Sequence, residues 1–174
     1  ETNFFPRGEK QPEPKKPIFS PEGSKMSLKK LNIRWMIRKD LLQVYQIDEE
    51  NNLWDAWPIA KLEEHIKFGY AKVIDFDGIV YGFLIYNFVK NKIKIIKMEF
   101  KNSTEIPKSL MIQELIGSLK MIAQRKHLRS LEFIVNENRE DLISVLREEN
   151  FIAKEVIRGY FSEVGSDGYL MKYT

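Results

Sequence analysis

Hydrophobic and polar positions follow two different periods along most of the chain. "LNIRWMI" (31–37) alternates as a β-strand does, and "RKDLLQVYQIDEE" (38–50) then spaces its apolar residues at helical intervals. "WPIAKLEEHIKFG" (57–69) predicts a second helix, with Pro58 in its first turn and Gly69 just past its end. This region therefore predicts one strand followed by two helices.

The middle of the chain predicts three antiparallel strands and a long helix. In "YAKVIDFDGIVYGFLIYNFVKNKIKIIKMEFK" (70–101), Asp77 and Gly78 are typical of a tight hairpin turn, and "KNK" (90–92) turns the chain a second time. "NSTEIPKSLMIQELIGSLK" (102–120) follows and is interpreted as a helix that begins directly after a strand. Its predicted apolar stripe consists of Leu115, Ile116, Leu119 and Ile122.

The last part of the chain completes an α+β domain that spans residues 31–174. It predicts a strand, a helix and two further strands, which are "LRSLEFIV" (128–135), "REDLISVLREEN" (139–150), "FIAKEVIRGYF" (151–161) and "GYLMKYT" (168–174). The predicted order is β, α, α, β, β, β, α, β, α, β, β. This order favours a mixed, mostly antiparallel twisted sheet flanked by helices, whose one parallel connection passes through the helix at 102–120.

Residues 1–25 precede this domain and differ from it in composition. They hold five of the seven prolines, which prevent helix formation and remove backbone donors, so the pattern predicts an extended or disordered arm. Phe4, Phe5, Ile18 and Phe19 are unusual for a linker. Two interpretations stay open, namely that the arm docks onto the domain or a partner, and that it is disordered.

Composition narrows the possible functions. The chain has no cysteine and two histidines, which disfavours disulfides and a histidine- or cysteine-ligated metal. Its apolar runs are too short for a membrane span. The net charge of +3 is small, and basic residues alternate with acidic ones along the chain, so the sequence gives no argument for nucleic acid. We therefore expect a cytoplasmic protein with no metal, no membrane and no nucleic-acid partner.

Four segments, in their order and spacing, resemble a known family. They are "IRWMIRKDLLQVYQIDEE" (33–50), "GIVYGFLIYNF" (78–88), "VLREENF" (145–151) and "IRGYFSEVGSDGYLMKY" (157–173). Together they are similar to the GNAT superfamily of acetyl-CoA-dependent N-acetyltransferases, and within it most similar to the ribosomal-protein alanine N-acetyltransferases. The resemblance covers the domain and leaves out the arm, and it implies the GNAT fold.

The resemblance also implies a cofactor site. In the family the pantetheine arm of acetyl-CoA inserts between the fourth and fifth strands, which assigns Met98 and Phe100 to it. The pyrophosphate lies on a loop of the form Gln/Arg-x-x-Gly-x-Gly/Ala before the next helix. That loop falls on Pro107, followed by Lys108, Ser109, Leu110, Met111 and Ile112. Leucine and isoleucine replace both glycines, and a Cβ there would crowd the phosphate oxygens. An asparagine near the cofactor corresponds to Asn138, or to Arg139 when no gap is introduced.

Catalytic groups are also implied by the resemblance. A carboxylate on the fifth strand, the general base, corresponds to Glu132 with a two-residue insertion and to Ile134 without it. The tyrosine acid corresponds to Leu146. Tyr160 in the last hairpin and Trp54 between the first two helices would line the acceptor groove, with Tyr160 as a second catalytic candidate. Simpler interpretations are that Glu132 faces solvent and that the two aromatic residues only pack.

Two functions remain open from the sequence. In the first, which the missing glycines and tyrosine favour, the protein is a weakly active or inactive relative that binds no cofactor. It would then bind another protein through its arm or its groove. In the second, it is an active enzyme that moves acetyl from acetyl-CoA to a protein N-terminal amine.

Overall fold

The computed structural model describes residues 31–174, and the predicted arm at residues 1–25 lies outside the described residues. The elements are β1 (Asn32–Trp35), α1 (Leu41–Asn51), α2 (Ile59–Lys67), β2 (Ala71–Phe76), β3 (Ile79–Val89), β4 (Lys92–Phe100), α3 (Lys108–Arg125), β5 (Ser130–Asn136), α4 (Glu140–Glu148), β6 (Ile152–Phe161) and β7 (Ser166–Tyr173). Short 3-10 turns precede α1 and β7. The predicted order of elements and the α+β class are confirmed.

Seven strands form one sheet in the order β1-β2-β3-β4-β5-β7-β6. Among the described residues, β4 and β5 are the one parallel pair, and all other neighbouring strands are antiparallel. A parallel pair needs a crossover connection, which α3 supplies. The predicted mostly antiparallel sheet, with its parallel connection through this helix, is confirmed.

Each face of the sheet carries its own apolar layer, because successive residues of a strand point to opposite sides. Leu84 packs on the side of α3 and α4, where Leu115 lies. Its neighbour Phe83 packs on the side of α1 and α2, where Leu62 lies. The sheet is therefore covered by two helices on each face.

The start of α3 corrects one prediction. The sequence interpretation began this helix at Asn102, whereas the structure begins it at Lys108. Pro107 is the N-cap residue and has extended dihedral angles, with φ −58° and ψ 130°. A proline also disfavours helical angles in the residue before it, so the helix cannot extend backward through Ile106. Residues 101–107 form a loop, in which the Glu105 N–H donates to the Ser103 hydroxyl at 3.1 Å.

The turns between elements lie at two opposite ends of the sheet. We call the end where β4 and β5 finish the cleft end, and it holds the turns 52–58, 77–78, 101–107, 137–139 and 162–165. We call the other end the basic end, and it holds the segments 36–39, 67–72, 89–92, 124–129, 147–151 and 172–174. No helix among the described residues has the length and apolar character that crossing a membrane would need.

Candidate functional site

The strands β4 and β5 diverge at the cleft end. They pair only at their beginnings, as far as Ile95 and Phe133, although β4 continues to Phe100. On its other side, β4 skips Ile96 in its register with β3, which is the signature of a β-bulge. A bulge bends its strand, so it accounts for the separation of β4 from β5 at this point.

A cleft of about 720 Å³ opens between the diverging strands. The segment between α1 and α2 forms one wall, and the turn between β6 and β7 forms another. Trp54 and Tyr160 stand at its rim, with 76% and 48% of their surfaces exposed. The two residues that the sequence assigned to a groove therefore do line one cleft, while their role in binding stays a prediction.

A buried ion pair holds the wall formed by the segment between α1 and α2. Lys97 of β4 donates to the Asp48 carboxylate of α1 at 2.8 Å and to the Asp55 carbonyl at 2.7 Å. The Trp57 N–H donates to the second oxygen of Asp48 at 2.7 Å. Burying two charges is costly unless both groups also make their remaining hydrogen bonds. Here the Asp55 carbonyl and the Trp57 N–H supply those bonds. Among the described residues, no buried side-chain nitrogen or oxygen lacks a partner.

A second ion pair spans the opening between the strands. Glu99 lies on β4 and is 5% exposed, whereas Arg139 is the N-cap residue of α4, after β5. Arg139 Nη1 donates to both oxygens of Glu99 at 3.1 Å. Asn52 donates to the same carboxylate at 3.0 Å. The Arg139 side chain therefore bridges the two strands where their backbones no longer pair.

The ion-pair network continues from Arg139 to the start of α3. Arg139 Nε donates to Asp141 at 3.2 Å, and Lys108 Nζ donates to the other oxygen of Asp141 at 3.3 Å. Burial acts to lower the pKa of Arg139, but the charges of Glu99 and Asp141 outweigh it and raise that pKa. Burial acts to raise the pKa of Asp141, but Arg139 outweighs it, so that pKa is lowered. Both groups are held in their charged forms.

The N-terminus of α3 faces this network. Its first helical hydrogen bond runs from the Met111 N–H to the Pro107 carbonyl at 3.2 Å, so the N–H groups of the first turn have no helical acceptor. The side chain of Leu110 is 39% exposed, while those of Met111 and Ile112 are buried at 1%. The positions matched to the phosphate-binding loop, 107–112, are the N-cap residue and the first residues of α3, and their role in binding stays a prediction.

Several solved structures have the same fold, and one of them is named as an N-acetyltransferase. Ard1 from Thermoplasma volcanium matches with a TM-score of 0.72 and 17% identity over 82% of this chain and 96% of its own. The ribosomal-protein alanine N-acetyltransferase from Escherichia coli matches with a TM-score of 0.70 and 14% identity, over 82% and 92%. Arabidopsis thaliana Naa50, solved with the bisubstrate analogue CoA-Ac-MVNAL, matches with a TM-score of 0.69 and 14% identity, over 83% and 98%.

The chain has the GNAT fold. No protein-family model and no curated protein sequence matches it. At these sequence identities the similarity shows only the fold. The function of this protein has to be inferred from the residues of its site.

Of two further residues that the sequence assigned, Asn138 lines the cleft and Glu132 does not. Glu132 lies where β4 and β5 still pair, and it is not among the residues that line the cleft. It accepts a hydrogen bond from Lys92 at 2.8 Å and lies 3.9 Å from Lys172. Asn138 lines the cleft, but its neighbour Arg139 makes the contacts to β4. The assignment of Glu132 as a base stays a prediction without support from its position.

Met98 and Phe100 turn their side chains into the core of the GNAT fold, where each is 1% exposed. Met98 is among the residues that line the cleft, whereas Phe100 is not, so the backbone role that the resemblance implied stays a prediction. Asn51 already donates to the Phe100 carbonyl at 2.9 Å. One backbone acceptor of β4 is thus in use.

Sequence reasoning missed three residues of the network, which are Asp48, Lys97 and Glu99, and it named Arg139 only as an alternative to Asn138 near the cofactor. One signal was available for them. Asp48 falls on the predicted inward stripe of α1, and a buried carboxylate requires a charged partner. Lys97, on a strand that is otherwise rich in apolar residues, was a candidate for that partner, and Glu99 on the same strand required a cationic partner of its own. The identity of each pair depends on how α1 and α4 pack against β4.

Proposed function

We propose that this protein is a GNAT-fold binding protein without acetyltransferase activity, and that its cleft holds a positively charged segment of another protein. The ion pair between Arg139 and Glu99 carries the proposal, because it spans the opening between β4 and β5. In the family that the sequence resembles, the pantetheine arm of acetyl-CoA passes through this opening.

Moving Arg139 aside would be costly. Glu99 is almost fully buried, and removing one partner of a buried ion pair costs about 3–5 kcal/mol. A cofactor that entered between the strands would have to offset this cost with its own contacts. Asn52 also donates a hydrogen bond to Glu99, but it is neutral and cannot replace the charge of Arg139.

The phosphate side of the cleft also fits acetyl-CoA poorly. Leu110 and Ile112 stand where the family has glycines, so the backbone of the helix cannot be approached as closely. Lys108 could balance phosphate charge, but its ammonium already pairs with Asp141. These three residues do not fit the diphosphate of acetyl-CoA, and no reaction step is assigned to that cofactor.

The charge of the cleft end favours a cationic ligand. Acidic residues at this end are Glu50, Asp55, Asp77, Glu99, Glu105, Glu137, Glu140, Asp141, Glu163 and Asp167, and they outnumber its basic residues, which include Lys61, Lys94, Lys97 and Arg139 of the cleft lining together with Lys101 and Lys108. Such a surface repels a polyanionic cofactor and attracts lysine or arginine side chains. The exposed ring of Trp54 at the rim is a suitable contact for a cation.

Titration with acetyl-CoA tests the proposal. At about 1 mM acetyl-CoA we expect no rise in melting temperature, because a ligand stabilises a protein only when it binds the folded state. A micromolar Kd by calorimetry, with a clear rise in melting temperature, would overturn the proposal.

A hexalysine peptide serves as the cationic ligand in the second arm of the test. We expect it to bind, and the Glu50→Gln, Glu163→Gln double variant to weaken binding about fivefold, since both carboxylates line the cleft. The matched control is Glu64→Gln with Glu148→Gln, which removes the same charge outside the cleft and leaves binding unchanged. Equal weakening in both variants would show that net charge alone attracts the peptide, contrary to the proposal.

One observation favours the alternative function, acetyl transfer to a protein N-terminal amine. The strands β4 and β5 do separate, and Naa50 with this fold was solved with a CoA-containing bisubstrate analogue. Release of free thiol from acetyl-CoA in the presence of short peptides measures this activity. We expect none above the peptide-free rate, and peptide-dependent release would establish the alternative.

A further inference from the structure

The basic end of the domain brings together positively charged residues that are distant from one another in the sequence. Five of its six segments contain lysine or arginine and no acidic residue, namely 36–39, 67–72, 89–92, 124–129 and 172–174. The exception is 147–151, where Glu148 and Glu149 lie, and Glu149 is paired with Lys120 at 2.8 Å. The fold therefore gathers basic turns that are far apart along the chain.

Direct contacts hold these turns beside one another. The Arg129 N–H donates to the Asn91 carbonyl at 2.7 Å, which joins the turn before β5 to the hairpin between β3 and β4. Lys126 lies 5.5 Å from the ring centre of Phe88, next to the same hairpin. The pKa of Lys72 is lowered, first by burial and then by the charge of Arg125, as expected where cations crowd together.

Most of these charges are not neutralised by neighbouring side chains. Within residues 31–174, the cations that form no ion pair at this end include Lys72, Lys90, Arg125, Lys126 and Arg129. Glu132 is the shared partner of Lys92 and Lys172, and Glu63 pairs with Arg38 at 3.0 Å. Several cations thus remain available to an external anion.

The cations form a row along the edge of the sheet. The unpaired cations of this row are Lys72 on β2, Lys90 in the β3–β4 turn and Arg129 before β5. Strands are about 4.8 Å apart, so the row of unpaired cations from β2 to β5 extends over roughly 14 Å. A row of this length matches a linear chain of phosphates better than a compact anion.

An exposed aromatic residue lies at one end of the row. Trp35 on β1 is 51% exposed, and the Lys72 ammonium lies 4.8 Å from its ring centre. Surfaces that bind single-stranded nucleic acids combine basic residues along the backbone with aromatic rings on which bases stack. We propose that the basic end binds a single strand of nucleic acid, through its phosphates and through stacking on Trp35.

This inference replaces the sequence-based expectation of no nucleic-acid partner. That expectation depended on the alternation of acidic and basic residues along the chain. The acidic residues between the basic turns lie largely at the cleft end, on the other side of the domain. The proposed strand and the proposed ligand of the cleft therefore occupy separate surfaces, and each can be tested without the other.

Fluorescence anisotropy with the full chain and a labelled RNA of about 20 nucleotides tests the proposal. We expect a micromolar Kd at about 50 mM salt that weakens steeply toward about 200 mM. The Lys90→Gln, Arg129→Gln double variant should lose about tenfold in affinity, and its salt dependence should fall by about 1.4 in log–log slope, or roughly 0.7 for each lost phosphate contact.

The control is Lys101→Gln with Arg158→Gln, which removes the same two charges elsewhere on the domain. It should bind RNA as the unmodified chain does. If the first double variant also binds unchanged, the phosphate contacts lie elsewhere, for example in residues 1–30, and the proposal fails. Single-stranded DNA of the same length is expected to bind as well, because the contacts are to phosphates and bases.

Trp35→Leu separates nucleic acid from other polyanions. It should weaken RNA binding about five- to tenfold without altering the salt slope, since stacking carries no charge. Polyglutamate and vesicles containing phosphatidylserine are the competing ligands. Preferential binding of either over RNA would assign the basic end to an acidic protein or to a lipid surface and would overturn the proposal.

Discussion

The two ends of the domain use charged residues in opposite ways. At the cleft end, Lys97 and Glu99 of β4 are buried and paired, with Asp48 and Arg139 respectively, while Glu50 and Glu163 of the cleft lining are exposed. At the basic end, cations such as Lys90 and Arg129 are exposed and form no ion pair among the described residues. Buried pairs fix the shape of a surface, whereas exposed, unpaired charges attract a ligand. The described residues contain as many basic as acidic side chains, so net charge conceals this difference.

Because the two ends differ in the burial of their charges, we expect a lysine-to-methionine substitution to change the free energy of unfolding very differently at each end. Lys97→Met leaves the fully buried Asp48 carboxylate without its charged partner. We expect the free energy of unfolding to fall by about 3–5 kcal/mol, as for other broken buried pairs. Urea denaturation of the purified chain measures this change.

Lys90→Met is the matched control at the basic end. Lys90 is exposed and unpaired among the described residues, so its replacement should change the free energy of unfolding by less than about 0.5 kcal/mol. The Asp48→Leu, Lys97→Met double variant should recover much of the loss, because it leaves no buried charge unpaired. Similar losses for Lys97→Met and Lys90→Met would show that burial does not distinguish the two ends.

Most charged side chains near the basic end are exposed, but one carboxylate there is buried. Asp40 is 3% exposed, and Arg34 donates to both of its oxygens at 2.7 and 2.8 Å. Burial acts to raise the pKa of Asp40, but Arg34 and the Ile37 N–H outweigh it and lower that pKa below its usual 3.8. Asp40 therefore stabilises the fold above about pH 4, and this stabilisation is lost as pH falls through its lowered pKa.

Asp40→Asn tests that exception. At pH 7 we expect it to lower the free energy of unfolding by about 2 kcal/mol, because charge-assisted hydrogen bonds to Arg34 are weakened. The difference between the variant and the unmodified chain should shrink as the pH falls from about 4 through the lowered folded-state pKa of Asp40, because only below that pKa is the carboxyl protonated in both the folded and the unfolded chain. Chemical denaturation at a series of pH values measures it, and a difference independent of pH would contradict the assigned role.

The order of elements could be predicted from the sequence because each element carries its own period and its own turn residues. Asp77 and Gly78, for example, adopt positive φ values of 56° and 80°, as a tight hairpin requires. The start of α3 was less certain, since polar residues such as Ser103 and Thr104 are compatible with either a loop or a first turn.

The site was harder to predict than the fold. The bulge at Ile96 depends on its register with β3, which the residues of β4 alone do not reveal. Glu99 and Arg139 come together only because α4 starts beside the end of β4. Glu132 was assigned from the family resemblance, but the strand places it among Lys92 and Lys172. Charges distant in sequence are thus the part of the molecule that periodicity does not predict.

Two glycines, with predicted effects of opposite sign, distinguish the crowded cleft end from the helical layer. A Cβ added at Gly82 would lie 2.6 Å from the Phe100 ring, at the end of β4, whereas one at Gly117 in α3 would meet nothing within 4 Å. Gly82→Ala should therefore lower the free energy of unfolding by about 1–3 kcal/mol. Gly117→Ala should raise it by about 0.5–1 kcal/mol, since alanine is the better helix former.

Thermal denaturation of the two alanine variants measures both signs in one experiment. Because Gly82 pairs with Phe100 in the sheet, its variant should also displace the last residues of β4, where Glu99 meets Arg139. Amide hydrogen exchange should then be faster at Phe100 and Lys101 in Gly82→Ala and unchanged there in Gly117→Ala. A destabilised Gly82→Ala variant with unchanged exchange at these amides would mean that the bulged end of β4 adjusts independently of the ion pair that spans the cleft.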